Sequence, residues 1–277
     1  MQSDELKTAR LSSSIILHSA LRTLHFMNTD RTLIVVPTYN ERENVGALVA
    51  QLLEVAPEAD VCLLDDNSPD GTAALAEELF GANPRFWVLR REGARGYGRS
   101  LVDGYRRALA GGYARLVQLD ADFSHDPQTI PALVAASREA DVVIGSRYCA
   151  GGRVANWPLR RRLLSRFANA YVCRITGLRV GDTTSGFRCY TRRALRRLLE
   201  GRIAAEGYAF LVESVFRAHR EGLAVAEVPI TFTDRREGQS KMSRRVIFES
   251  VLMPWRLRFA KSKDEGGGMK DEVKADF

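Results

Sequence analysis

Two aspartates separated by one residue, Asp120-Ala121-Asp122, follow directly on the apolar run Leu116-Val117-Gln118-Leu119. Carboxylates two positions apart at a strand end can face one hard cation from the same side of the backbone. Mg²⁺ and Mn²⁺ prefer oxygen ligands and commonly share their shell between a few carboxylates and substrate phosphates. Such a pair suits an enzyme that holds a diphosphate and neutralises it as it leaves. Aspartate is also an ordinary turn residue at a strand exit, so the tripeptide alone does not decide.

Three more clusters stand in corresponding places. Pro37-Thr38-Tyr39-Asn40-Glu41 follows the run Thr32–Val36, Asp65-Asp66-Asn67-Ser68-Pro69-Asp70-Gly71 follows Val61–Leu64, and Gly145-Ser146-Arg147 follows Asp141–Ile144. Turn chemistry accounts for any one of them. Four together indicate a binding cleft. The loop Arg90–Arg99 carries Gly93, Gly96 and Gly98 but lacks G-x-x-x-x-G-K-[ST], and no G-x-G-x-x-G follows the first strand. A P-loop nucleotidase and a Rossmann dehydrogenase are thereby rejected. The glycines of that loop fit a mobile connection as well as a substrate role.

The elements that must position these clusters follow from periodicity. Strand-like runs alternate with helical patterns over Glu43–Val55, Gly71–Phe80, Arg99–Ala110 and Pro127–Ser137, and Phe86–Leu89 supplies a further strand. The alternation predicts an α/β fold with a doubly wound, mostly parallel sheet and right-handed crossovers. Ligands of such sheets bind beyond the carboxyl ends of the strands, where the clusters fall.

With 277 residues and 45% apolar composition, the chain can bury one large core. A net charge of +7 and a pI near 9.4 favour anionic partners. A nucleic-acid-binding module is not expected, because no arginine–aromatic stacking surface is evident and the acidic clusters repel phosphates without a metal. The four cysteines are widely spaced, with no C-x-x-C pair. This reads as reduced thiols in a cytosolic compartment and no zinc site. No stretch reaches the roughly 18 apolar residues of a spanning helix. Residues 1–30 are expected to be an N-terminal extension, with Met27 an alternative start. Residues 31–260 should form the catalytic domain and 261–277 a disordered, Gly-rich polar tail.

Further segments add to the set: Asn156-Trp157-Pro158-Leu159 with Ser165-Arg166-Phe167-Ala168-Asn169, then Asp182-Thr183-Thr184-Ser185-Gly186-Phe187-Arg188, then Arg235-Arg236-Glu237-Gly238-Gln239-Ser240-Lys241-Met242. In this order the chain, from about residue 31 to 258, resembles the inverting glycosyltransferases of family 2 with a GT-A fold. Within that family it looks like the polyprenol-phosphate (dolichol-phosphate) mannose synthases. The resemblance implies transfer of mannose from GDP-mannose to a polyprenyl phosphate, with Mg²⁺ or Mn²⁺ as cofactor. A related transferase moving glucose or another sugar from a different nucleotide donor is the alternative.

By the same resemblance, Pro37, Tyr39, Glu41 and Asp66 would line the base and ribose. Asp120 and Asp122 would hold the metal, and Ser124, which stands where some relatives have Gln, would contact it through a water. Arg147, Arg161 and Ser165 would grip the acceptor phosphate, while Arg235 and Lys241 would clamp the leaving diphosphate. The family pattern Gly-Lys-x-Gly-Leu-Gly is replaced by Gly93-Ala94-Arg95-Gly96-Tyr97-Gly98. Ala94 takes the place of the lysine and Tyr97 that of the leucine.

A phosphate nucleophile is largely ionised at neutral pH, since its second pKa is about 6. It needs little help from a base. Asp122, Arg147 and Lys241 are therefore expected to act by charge and positioning, and His125 to play a supporting role. On the lipid side, helices at about 159–178 and 243–259 combine apolar and arginine-rich positions. They read as interfacial helices or as ordinary packing on the sheet. Pro254 should kink or interrupt the second. The expectation is a peripheral protein on the cytoplasmic face of the membrane, with room for a membrane-anchoring protein partner.

Overall fold

The computed structural model describes residues 30–200, 208–234 and 244–259. The expected extension, but for Asp30, and the expected tail lie outside the described residues, as do Arg235 and Lys241. Strands β1 (Thr32–Thr38), β2 (Ala59–Asp65), β3 (Phe86–Arg90), β4 (Arg115–Gln118) and β5 (Val142–Ser146) alternate with helices α1 (Arg42–Val55), α2 (Thr72–Phe80), α3 (Tyr97–Ala110) and α4 (Ile130–Ala136). Then come the short β6 (Arg153–Val154), α5 (Leu159–Thr176), β7 (Arg188–Thr191), α6 (Arg192–Glu200), α7 (Tyr208–Arg220), β8 (Val225–Pro229), β9 (Thr231–Phe232) and α8 (Arg244–Phe259).

The main sheet has the order β3-β2-β1-β4-β7-β5-β8, and β6 pairs with β9 beside it. Strand residues alternate between two cores. Leu33, Val35, Cys62, Leu64, Leu116 and Ile144 pack on one face with Leu101 and Tyr105 of α3. Ile34, Val36, Val61, Leu63, Val117 and Val143 pack on the other with Val45, Leu48 and Leu52 of α1. Helices cover both faces, which is why these strands read as near-continuous apolar runs.

Strand β7 departs from the parallel pattern. It runs antiparallel to both neighbours, with Arg188 opposite Gln118 and Ile144. An antiparallel strand begins where its parallel neighbours end, so the segment before β7 is delivered to the carboxyl edge of the sheet. Arg188 is fully buried and gives its guanidinium hydrogens to the carbonyls of Thr183, Ser185 and Leu211 and to Ser214 Oγ. These bonds fix the loop that carries Asp182 to Gly186.

Two local expectations need correction. The helical pattern over Pro127–Ser137 divides into a single 3₁₀ turn, Pro127–Thr129, capped by Asp126, and then α4. Pro131 lacks the N–H that would join them. Of the two outcomes expected at Pro254, interruption does not occur, since α8 continues through it to Phe259. Pro254 is buried, and α8 packs on α5 and α7, a tertiary setting that offsets one missing helical hydrogen bond. Among the described residues no helix is long and apolar enough to cross a membrane.

Candidate active site

A cavity of about 260 Å³ opens at the carboxyl edge, lined by Pro37, Thr38, Tyr39, Glu41, Asp66, Tyr97, Ser100, Asp120, Ala121 and Asp122. A second hollow of about 420 Å³, around Arg90, Arg91, Arg106 and Arg107, is more open and lacks the paired aspartates of the exit from β4. The smaller cavity is the one that gathers the polar residues of three strand exits.

Its walls are fixed by local bonds. Asp65 accepts from the Ser68 hydroxyl at 2.6 Å and the Ser68 N–H at 3.0 Å, closing the turn after β2. Asp70 accepts from the Thr72 N–H and hydroxyl at the start of α2 and from the Arg42 N–H at the start of α1. Its slight burial raises the carboxyl pKa, but these donors prevail and hold it below the usual range. Asp66 pairs with Arg91, which also binds Asp103 at 2.8 Å, and accepts from the Gly96 N–H at 2.8 Å. One carboxylate thus anchors both ends of the Gly93–Gly96 loop. Arg95 of that loop lies over the Tyr39 ring at 4.6 Å and donates to the Tyr39 hydroxyl at 2.7 Å.

Asp122 Oδ1 accepts from the Ser124 N–H at 3.0 Å, and the intervening Phe123 takes a positive φ of 58°. Asp120 Oδ1 accepts from the Tyr97 hydroxyl at 3.0 Å, while the Asp120 N–H donates to His125 Nδ1 at 3.4 Å. His125 is buried between Phe187 and Phe232, each 5.3 Å away by ring centre. Burial lowers its pKa against the raising influence of Asp120 and Asp122. Nδ1 is the acceptor in the bond from the Asp120 N–H, which in a neutral imidazole places the proton on Nε2. His125 does not line the cavity, and neither does Ser124.

The expected acceptor residues gather around a neighbouring aromatic cluster. Arg147 binds Asp182 through Nε and Nη2, both at 2.7 Å, and Thr184 Oγ1 at 2.7 Å. Its guanidinium lies 5.3 Å from the Tyr148 and Phe232 rings and 5.9 Å from Trp157. Arg161 stacks on Trp157 at 3.9 Å and pairs with Asp234. Ser165 Oγ accepts from the Tyr148 hydroxyl at 2.7 Å. Phe232 joins the halves, contacting both His125 and Trp157.

Asp182, Tyr97 and Arg91 were given no role by the sequence reading. Asp182 and Tyr97 stood within motifs, but nothing in local spacing identifies their partners.

A model of glycosyl transferase family 2 matches residues 33–200. The chain belongs to this family of glycosyltransferases. It is 42% identical over 234 residues to a polyprenol monophosphomannose synthase from Mycolicibacterium smegmatis, covering 83% of this chain and 88% of that one. It is 41% identical over 222 residues to an undecaprenyl-phosphate mannosyltransferase from Micrococcus luteus, covering 80% and 91%. In fold it resembles glucosyl-3-phosphoglycerate synthase from Mycobacterium tuberculosis. The complex of that enzyme with Mn²⁺, uridine diphosphate and phosphoglyceric acid has a TM-score of 0.60 at 22% identity, covering 81% and 78%. Its complex with Mg²⁺ and uridine diphosphate has a TM-score of 0.58 at 23% identity, covering 81% and 79%.

Proposed function

We propose that this family 2 enzyme transfers mannose from GDP-mannose to a polyprenyl phosphate, with inversion and with a divalent cation on the donor diphosphate. The observation that carries this reading is the juxtaposition at one sheet edge. A cavity bearing Asp120 and Asp122 stands beside the Arg147–Arg161–Trp157 cluster, and Phe232 links them through His125. The names of the relatives at 41–42% identity give the sugar and the lipid class.

The donor set fits a hard cation. Asp120 and Asp122 face one cavity, and the buried Ser124 hydroxyl beside them has no hydrogen-bond partner among the described residues. Those residues contain no group of three or more acidic, histidine or cysteine side chains able to hold a metal. A partial carboxylate shell matches Mg²⁺ or Mn²⁺, whose remaining sites go to phosphate oxygens and water. When bound, the cation neutralises charge building on the diphosphate.

The other tasks belong to side chains. Tyr39, Glu41 and Asp66 border the cavity on the nucleotide side. Arg147 and Arg161 present positive charge to the acceptor phosphate, which arrives already ionised. Arg147 is held by Asp182, so its contribution is a fixed field and not a mobile grip. Arg235 and Lys241 complete the proposal as the clamp on the leaving diphosphate.

The lipid acceptor gives meaning to a run of exposed apolar side chains. Leu159, Leu163, Leu164 and Phe167 on α5 are 57–69% exposed, and Val251, Trp255 and Phe259 on the adjoining α8 are 46–68% exposed. Exposed Arg160, Arg162 and Arg166 intersperse the first group. This composition suits a helix pair lying in an acidic membrane surface.

The test is transfer of labelled mannose from GDP-mannose to purified polyprenyl phosphate, with UDP-glucose as a parallel donor and EDTA as control. Product from GDP-mannose that vanishes with EDTA supports the reading. Transfer only from UDP-glucose, or transfer unaffected by EDTA, overturns the donor or the metal respectively.

A further inference from the structure

Tyr97 opens α3, and its side chain borders the cavity. It stands where the family pattern has leucine, and none of the roles above accounts for a hydroxyl at that point. The hydroxyl donates to Asp120 Oδ1 at 3.0 Å. Asp120 is thus held twice from different directions, its main chain by His125 and its carboxylate by Tyr97.

The surroundings leave this contact little freedom. A Cβ on Gly186 would lie 2.8 Å from the Tyr97 hydroxyl and 3.1 Å from each Asp120 oxygen. Gly186 is itself fixed, because Gln118 Nε2 donates to its carbonyl at 3.0 Å and Gln118 is buried in β4. Phenol, carboxylate and the glycine backbone therefore pack as one unit. On the near side, Gly96 immediately before Tyr97 is tied to Asp66, which fixes where α3 begins.

We infer that Tyr97 is a positioning residue for the cation site: its hydroxyl sets the orientation of the Asp120 carboxylate, and Gly186 is the space that this arrangement requires. The inference rests on the metal reading proposed above. Tyr97 acts on the cation through Asp120 and is not a ligand. Outer partners of ligating carboxylates typically change metal affinity by about 10- to 100-fold when removed.

The test titrates Mn²⁺ into the purified full chain with GDP, following free Mn²⁺ by electron paramagnetic resonance, for wild type, Tyr97→Phe, Gly186→Ala and the double variant. Thermal midpoints in EDTA report folding separately. Tyr97→Phe should raise the Kd for Mn²⁺ by roughly 10-fold with its midpoint in EDTA unchanged. Gly186→Ala should weaken binding as well. The double variant should lose less than the product of the single losses, because both act on one carboxylate. An unchanged Kd for Tyr97→Phe, or independent effects of the two substitutions, overturns the inference while leaving the metal reading standing. A wild-type chain that takes up no Mn²⁺ overturns both.

Discussion

Arg147 and Asp182 lie 35 positions apart and meet as a buried, two-pronged ion pair, with Nε–Oδ2 and Nη2–Oδ1 each at 2.7 Å. The Arg147 N–H also reaches Asp182 Oδ2 at 3.0 Å. Burial drives the Asp182 carboxyl pKa up, but the hydrogen bonds and charge of Arg147 more than reverse this and hold it below the usual range.

Removing one partner of such a pair strands a buried charge. Asp182→Ala should lose about 3–5 kcal/mol of stability, read from urea denaturation at pH 7. The depressed pKa also fixes the sign of the acid response. The contribution of Asp182 is present above its unfolded pKa of about 3.9 and is lost as pH falls through the lower folded value. In the variant that part of the acid destabilisation should be missing. An identical acid slope in both proteins would refute the assignment.

Asp122 faces the cavity and also accepts the Ser124 N–H. Asp122→Ala should reduce transfer by at least about 100-fold while the far-ultraviolet circular dichroism stays native. Transfer within a few-fold of wild type would sink the proposed role of this carboxylate.

Cys62 and Cys189 are buried, which pushes both thiols up to about 12. Both therefore stay protonated and shielded from reagent at pH 8. Iodoacetamide at that pH should label half-buried Cys149 in the native chain and reach Cys62 and Cys189 only in denaturant. Mass spectrometry of tryptic peptides reads the difference.

Leu164 and Phe167 are 67% and 69% exposed, so replacing them should barely change folding stability. If these side chains enter lipid, each contributes about 2 kcal/mol on burial. Leu164→Ser and Phe167→Ser should then each weaken binding to anionic vesicles by about 10-fold or more. Vesicle sedimentation at low salt measures it, and unchanged binding would assign this face to something other than lipid.

Much of the architecture was legible because the buried strands carry it in their own residues. Ile34, Val36, Val61 and Leu63 face one core while Leu33, Val35, Cys62 and Leu64 face the other. The polar clusters at the strand exits could therefore be placed on one edge without coordinates. Pro37, Tyr39, Glu41, Asp66, Asp120 and Asp122 do line a single cavity there. The contacts of Tyr97 with Asp120 and of Arg147 with Asp182 were not legible. Their partners are 23 and 35 residues apart and belong to different elements. Strand β7 was hidden for another reason. It is four residues long and begins with the buried Arg188, so it offers no alternating apolar signal. Only its setting between β4 and β5 makes it a strand.

That setting governs the order in which the molecule can be completed. Strands β3, β2, β1 and β4 are neighbours in the sheet and all lie within the first 118 residues, so they can pair before the rest of the chain is made. Strand β5, finished by residue 146, has only β7 and β8 as partners. A growing chain therefore has no native partner for β5 until residues 188–191 are made, and the native neighbour of the β4 edge is absent for the same interval. The Asp120 carboxylate belongs to the early half, whereas Asp182 and the buried Arg188 that fixes its loop come with the late one. Chains released before residue 191 should expose the open edge of β4 and both edges of β5, and these are the truncations most prone to chaperone capture or aggregation.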